Sequence, residues 1–311
     1  MQRAALPRRS LASARTVVEA PLAQALLRVV LVVAALAVVT AVFVIEGPLI
    51  ASFGFDARSY WGFPRADLYA GTASANGIGV YRYAPLFVPL LELTSRLDWP
   101  AFSFWWFCLL AGTYLWLAGR WWLLALAFAP ISYELYMGNI HLLLAAAIVL
   151  GFRYPGTWAF VLLTKVTPGV GLLWFAVRRE WHALGVALGI TALVVGVGWL
   201  LWPGAWSAWV ASLLATPPAS GANHVAIPLA TRLAVAALIV TWGALTDRRW
   251  TVIVAATLGL PTLWDHGEAM LVGLVPLLDP LWAAASPAAR LRRWLRRRVD
   301  RWPIPAEGAA A

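Results

Sequence analysis

The sequence predicts an all-α polytopic membrane protein, a bundle of about ten transmembrane helices, some short or broken. Three observations predict it. Of 311 residues, 62% are hydrophobic and 12% charged, about half the charged share of a soluble domain. Mean hydropathy is +0.75. The basic residues, 23 of 24 of them Arg, gather at the two ends and in short gaps between apolar runs, as cytoplasmic anchors do. Such apolar mass excludes an intrinsically disordered chain and argues against a soluble two-domain enzyme. Nucleic-acid binding would need a soluble basic face, so no nucleic-acid partner is expected.

The elements follow from a span's need for about 20 apolar residues. A basic cytoplasmic segment, residues 1–28, precedes the first span, Val29–Ile45, which reads as an anchor because no small-residue cleavage site follows it. Trp99–Gly119 and Ala183–Trp202 are uncharged over full spanning lengths. Leu135–Phe152 reads as a further span despite Asn139 and His141. Tyr154–Thr164 and Val166–Val177 are each too short, and Pro168 disfavours helix at Thr167. They predict two half-spanning helices broken around Lys165, an arrangement tolerated where a wet cavity is lined. Ile227–Leu245, Arg249–Pro261 and the run from Gly267 towards Trp282 complete a membrane domain over 29–282. Beyond it, residues 283–311 carry seven arginines between Pro287 and Trp302. With Leu291, Trp294, Leu295 and Val299 at helical spacing, they predict a basic amphipathic helix on an anionic inner leaflet.

The arginine distribution puts both termini in the cytoplasm, which makes 46–82 a long outer loop. The turn-rich stretch 203–226 and the Asp265–Glu268 connection fall on the same side. Polar residues therefore converge at one face, as an active site requires and a channel does not. Asp56 lies among aromatic neighbours, a setting that favours a desolvated, functional carboxylate over a solvated one. Lys165, the only lysine, is an intramembrane charge; it either snorkels to an interface or clamps an anionic headgroup. Asn139 and His141 interrupt an apolar run and so face the bundle interior. His266 follows Trp264 and Asp265, and Asn223 precedes a span that carries Arg232.

Other chemistries find no support. The chain has no phosphate-binding Gly-rich loop and no nucleophile elbow. Cys108 stands alone, so there is no disulfide framework. Scattered histidines give no persuasive metal site, although Asp56, Asp265 and His266 are the groups that could meet to form one; neither metal nor cofactor is expected. One base, one Lys, one His and several Arg suit transfer of a group from a lipid phosphate, in which a base deprotonates an acceptor hydroxyl and cations stabilise the leaving phosphate.

The ordered set Asp56-x3-Tyr60, Asp67–Leu68–Tyr69 and Tyr83–Ala84–Pro85–Leu86 resembles the first outer loop of glycosyltransferase family 87. Gly138–Asn139–Ile140–His141 looks like that family's Gly-Gln-x-Asn element, with Asn for Gln and His for Asn. Lys165–Val166–Thr167–Pro168 matches its Lys-x-x-Pro element, and Asn223 with Arg232 resembles its Asn-Gln-Ser…Arg segment. Pro261–Thr262–Leu263–Trp264–Asp265–His266 looks like its Ser-Pro-x-Ser-Trp-x-His element, with Gly267 where many relatives carry a second His.

The resemblance implies a GT-C-type bundle and a metal-independent hexosyltransferase. It implies a polyprenyl-phosphate sugar, expected to be mannose, as donor, with inverting transfer to a lipid or cell-envelope glycan at the outer face of a bacterial plasma membrane. Carried over, it makes Asp56 the general base and His266 a catalytic partner. Lys165, Arg232 and Arg82 would contact the donor phosphate. Tyr60, Asp67, Tyr69, Asn139, His141, Asn223, Trp264 and Asp265 would shape the pocket. The rivals are a transporter or flippase of lipid-linked glycans, which should show a second copy of the broken helix pair, and an inactive scaffold.

Overall fold

A computed structural model describes residues 11–41, 53–61, 68–69, 81–215 and 227–279. The expectations for Asp67, Asn223 and the basic tail 283–311 lie outside the described residues, as does most of the loop 46–82. Among the described residues the chain is α- and 3-10-helical, with no strand. Two helices, Trp99–Leu126 and Trp181–Leu201, are long and apolar enough to cross a membrane. Shorter apolar helices, among them Leu26–Ala41, Thr167–Val177 and Leu229–Leu245, surround them. Among the described residues these helices make an all-α polytopic membrane protein in which some helices are short or broken, as the sequence predicts.

The exposed surface requires an apolar solvent. The most apolar stretch of Trp181–Leu201 is only 11% buried, and Leu193 and Leu200 are 65% and 84% exposed. Phe104, Trp105, Leu214, Leu238 and Leu245 are likewise exposed. Such a continuous apolar exterior is a lipid-facing surface rather than a water-facing one.

The helices that build the interior are named in chain order. Helix α1, Trp99–Ala118, starts at Asp98, whose carboxylate caps it by accepting the Ala101 N–H at 2.8 Å, and stops at Gly119. Helix α2, Ala129–Met137, has a proline in its first turn and ends at Gly138 in the left-handed region, φ 71°. The chain then bends by 112° into helix α3, His141–Gly151. The single span predicted over Leu135–Phe152 is therefore two helices. Hydropathy does not register the left-handed glycine that breaks them.

Helix α4, Trp158–Thr164, is followed by an extended Lys165 and a 3-10 turn over Thr167–Leu172, then helix α5, Leu173–Val177. This matches the predicted break at Lys165. Helix α6, Pro203–Ala215, corrects the first part of the stretch 203–226 read as a turn-rich loop, since the first-turn proline begins a helix here; residues 216–226 lie outside the described residues. Helices α7, Leu229–Leu245, and α8, Trp250–Leu258, pack closely: a Cβ on Gly243 would come within 1.8 Å of the Thr251 hydroxyl. After α8, a nine-residue 3-10 helix, Asp265–Gly273, packs against α2 and α3. This unusually long 3-10 segment delivers His266 to the interior.

Candidate active site

The site is built around the break between α2 and α3. Ending α2 at Gly138 frees carbonyls that need donors, and in an apolar medium such groups cannot be left unpaired. The Tyr136 carbonyl accepts the Gly54 N–H, and the Met137 carbonyl accepts the Asp56 and Ala57 N–H groups. Trp106 Nε1 donates to the Gly138 carbonyl at 2.7 Å. A Cβ on Gly138 would lie 2.8 Å from the Ala57 Cβ, so glycine is needed for approach as well as for φ. The break thus fastens the turn that carries Asp56.

Asn139, next in the break, organises the Asp56 side chain. Its Nδ2 donates to Asp56 Oδ2 at 2.8 Å. Its Oδ1 accepts the Ile140 N–H at 2.7 Å and the Tyr60 hydroxyl at 3.2 Å, which fixes the amide orientation. Tyr60 and Tyr83 share a hydroxyl–hydroxyl bond of 2.7 Å, and the Tyr60 ring lies against Trp106. His266 Nε2 stands 3.3 Å from Asp56 Oδ2. The Tyr133 edge and the Trp264 face enclose the His266 ring. Burial works to raise the Asp56 carboxyl, but hydrogen bonding and charge attraction from His266, with the Asn139 amide, hold it below the usual carboxylate range.

A second polar chain runs behind the first. The Glu134 carboxylate accepts the His141 backbone N–H at 2.6 Å and pairs with His141 Nδ1 at 2.9 Å. On the other edge of that ring, His141 Nε2 meets Lys165 Nζ at 2.6 Å. The His141 and His266 rings are 5.2 Å apart and join the two chains. The two carboxylates differ in access: the Asp56 side chain is 24% exposed and that of Glu134 is 0%. Of the two, Asp56 is the one open to solvent.

Sequence reasoning assigned no role to Glu134, and its signal was present. It is the only acid between Asp98 and Glu180, inside a run that had to enter an apolar environment. Tyr83 and Tyr133 were also given no role.

The remaining expected residues divide. Tyr69 donates to the Tyr83 carbonyl at 2.9 Å and so shapes the same wall. Arg82 lies within electrostatic reach of Asp56 and Tyr83. Asp265 is half-buried in the first turn of the 3-10 helix that carries His266. Arg232 is the correction. It is buried, and its guanidinium donates to the carbonyls of Ile227, Leu258, Leu260 and Pro261 at 2.7–3.2 Å. Four of its five N–H groups are taken by backbone, so it anchors the segment leading to His266 instead of offering the phosphate clamp expected from sequence.

Glu134, His141 and His266 bring ligand-capable atoms within 4.8 Å of one another. Both His141 nitrogens are already engaged, one by a carboxylate and the other by a lysine. A divalent cation would have to displace the lysine or sit beside a like charge. The arrangement suits a proton acceptor with a nearby cation better than a metal centre.

No curated protein and no solved structure matches the chain. The family model for glycosyltransferase family 87 matches residues 81–280, which takes in Glu134, Asn139, His141, Lys165 and His266, while Asp56 lies ahead of the matched stretch. With more than half of the sequence inside that match and an apolar helical bundle around a polar core, the chain belongs to glycosyltransferase family 87, a family of membrane glycosyltransferases.

Proposed function

We propose that this glycosyltransferase moves a sugar, with mannose expected, from a polyprenyl-phosphate donor to a lipid or cell-envelope glycan acceptor. The reaction takes place at the outer face of a bacterial plasma membrane, with inversion and with both termini cytoplasmic. The observation that supports this most is the partly open Asp56 carboxylate, oriented through Oδ2 by Asn139 and His266. Its other oxygen, Oδ1, accepts from no described side chain, which suits it to receive a proton.

In the proposed step the acceptor hydroxyl oxygen bonds to the sugar's anomeric carbon, and the bond from that carbon to the phosphate oxygen breaks. The hydroxyl proton passes to Asp56 Oδ1, and the electron pair leaves with the polyprenyl phosphate. Asp56 is a general base. His266 stays hydrogen-bonded to it, so the carboxylate keeps one orientation throughout. Lys165, with Arg82, stabilises the charge that develops on the leaving phosphate. Tyr60, Tyr69 and Trp264 line the sugar's approach. A lipid-carried donor fits a site on the outer face, where nucleotide sugars are not supplied.

The test offers the full-length protein in lipid a panel of sugar donors. The expected result is transfer from polyprenyl-phosphate-mannose with inverted anomeric configuration, read by NMR of the product, and none from a nucleotide-mannose. Transfer from the nucleotide sugar, or retention of configuration, would overturn the proposal.

A further inference from the structure

We propose that Glu134, acting through His141, is the positioning residue that holds the Lys165 ammonium where the donor phosphate meets it. The inference rests on the reading of Lys165 as a phosphate contact.

A fully buried carboxylate is expensive unless paired and hydrogen-bonded. Glu134 accepts from both the main chain and the ring of one residue, His141. A carboxylate at Nδ1 keeps the proton there, which leaves Nε2 as a lone-pair acceptor. Lys165 Nζ occupies that position at 2.6 Å. Without the Glu134 charge, the other tautomer would turn an N–H towards an ammonium, and donor would face donor.

Geometry gives the arrangement its use. Lys165 is the extended residue between α4 and the 3-10 turn Thr167–Leu172, and it is half-buried. An ammonium has three donors. With one fixed on His141, the other two keep a set direction, whereas a free lysine side chain would distribute its charge over many rotamers. Glu134 is shielded from solvent and His141 is fully buried, so neither residue can touch a substrate and each acts through Lys165.

The test uses the fact that Lys165 is the only lysine in the chain. Acetylation of its ε-amine, located by peptide mass apart from the N-terminal amine, reports on this one side chain without any sugar transfer. Full-length wild type, Glu134→Gln and His141→Asn are labelled in lipid nanodiscs over rising concentrations of farnesyl phosphate, with inorganic phosphate in parallel. His141→Asn retains an N–H near the Nδ1 position for Glu134 and removes only the acceptor for Lys165, so it keeps the buried carboxylate paired. Thermal unfolding verifies the folded state of each protein.

Farnesyl phosphate is expected to protect Lys165 in the wild type, with the half-protecting concentration rising about tenfold or more in both variants, the scale of one hydrogen bond to a charged group. Equal protection of a folded variant and the wild type overturns the Glu134–His141 role and leaves the phosphate reading intact. No protection of the wild type by either compound overturns the phosphate reading, and the inference with it. Protection by inorganic phosphate alone, lost in the variants, supports the positioning role and assigns the clamp to free phosphate rather than a lipid headgroup.

Discussion

Replacing Arg232 separates the two roles that sequence and structure give it. Arg232→Ala removes four hydrogen bonds to the carbonyls of Ile227, Leu258, Leu260 and Pro261. Each buried acceptor left unpaired costs about 1–3 kcal/mol. The four share one side chain and will relax together, so the total is smaller than the sum, about 3–5 kcal/mol. That corresponds to a fall in Tm of roughly 5–8 °C. Thermal unfolding in lipid measures it, and donor KM is determined at a temperature where the variant is still folded. Arg232→Lys should recover little stability, because an ammonium cannot reproduce a planar fork spanning four carbonyls. The reasoning is refuted if Arg232→Ala unfolds with the wild type while donor KM rises more than tenfold and Arg232→Lys restores it. That pattern belongs to a phosphate contact.

Three further predictions follow from the same geometry. Gly138→Ala forces a side chain into φ 71° and towards the Ala57 Cβ, at a cost of about 1–2 kcal/mol for the left-handed conformation alone; kcat should fall because the Asp56 turn shifts, and unchanged kcat would contradict the role of the break. His266 and the Asn139 amide hold the Asp56 carboxyl below the usual carboxylate range, so its ionised form stabilises the fold above that range, and the stability is lost as pH falls through the lowered value. The Tm difference between wild type and Asp56→Asn should therefore shrink as pH falls below about 4; a difference that keeps its full size through that acid range would count against the assignment. Incubation with a chelator should leave transfer unchanged, because Lys165 already supplies positive charge at His141; activity lost to the chelator and restored by a divalent cation would make Glu134, His141 and His266 a metal site.

The site was legible where chemistry interrupted composition. Asp56 and His266 stood out as polar groups among aromatic ones, and the structure brings them to 3.3 Å. Lys165 and Pro168 marked their break because proline has a local, sequence-visible effect on the backbone. The break at Gly138 escaped the hydropathy reading, because neither the glycine's left-handed φ nor the close approach of Ala57 has a signature in apolar content. Glu134 went unassigned for a related reason. Its partner His141 lies seven residues along the chain, across the bend, so the pair sits on no common helical face. Arg232 was assigned by its charge, whereas its role is set by carbonyls 26–29 residues away that sequence spacing does not relate to it.

The central claim is that Asp56 is the base of a lipid-phosphate glycosyltransferase. Wild type and Asp56→Asn, reconstituted side by side, are given polyprenyl-phosphate-[¹⁴C]mannose and a lipid extract rich in envelope acceptors. Asparagine preserves shape and the hydrogen bond to His266 but cannot take a proton. The account predicts label transfer by the wild type and a loss of about 10²-fold or more in the variant, the range of removing a general base, at a temperature where thermal unfolding shows the variant still folded. Equal transfer by a folded Asp56→Asn would contradict it.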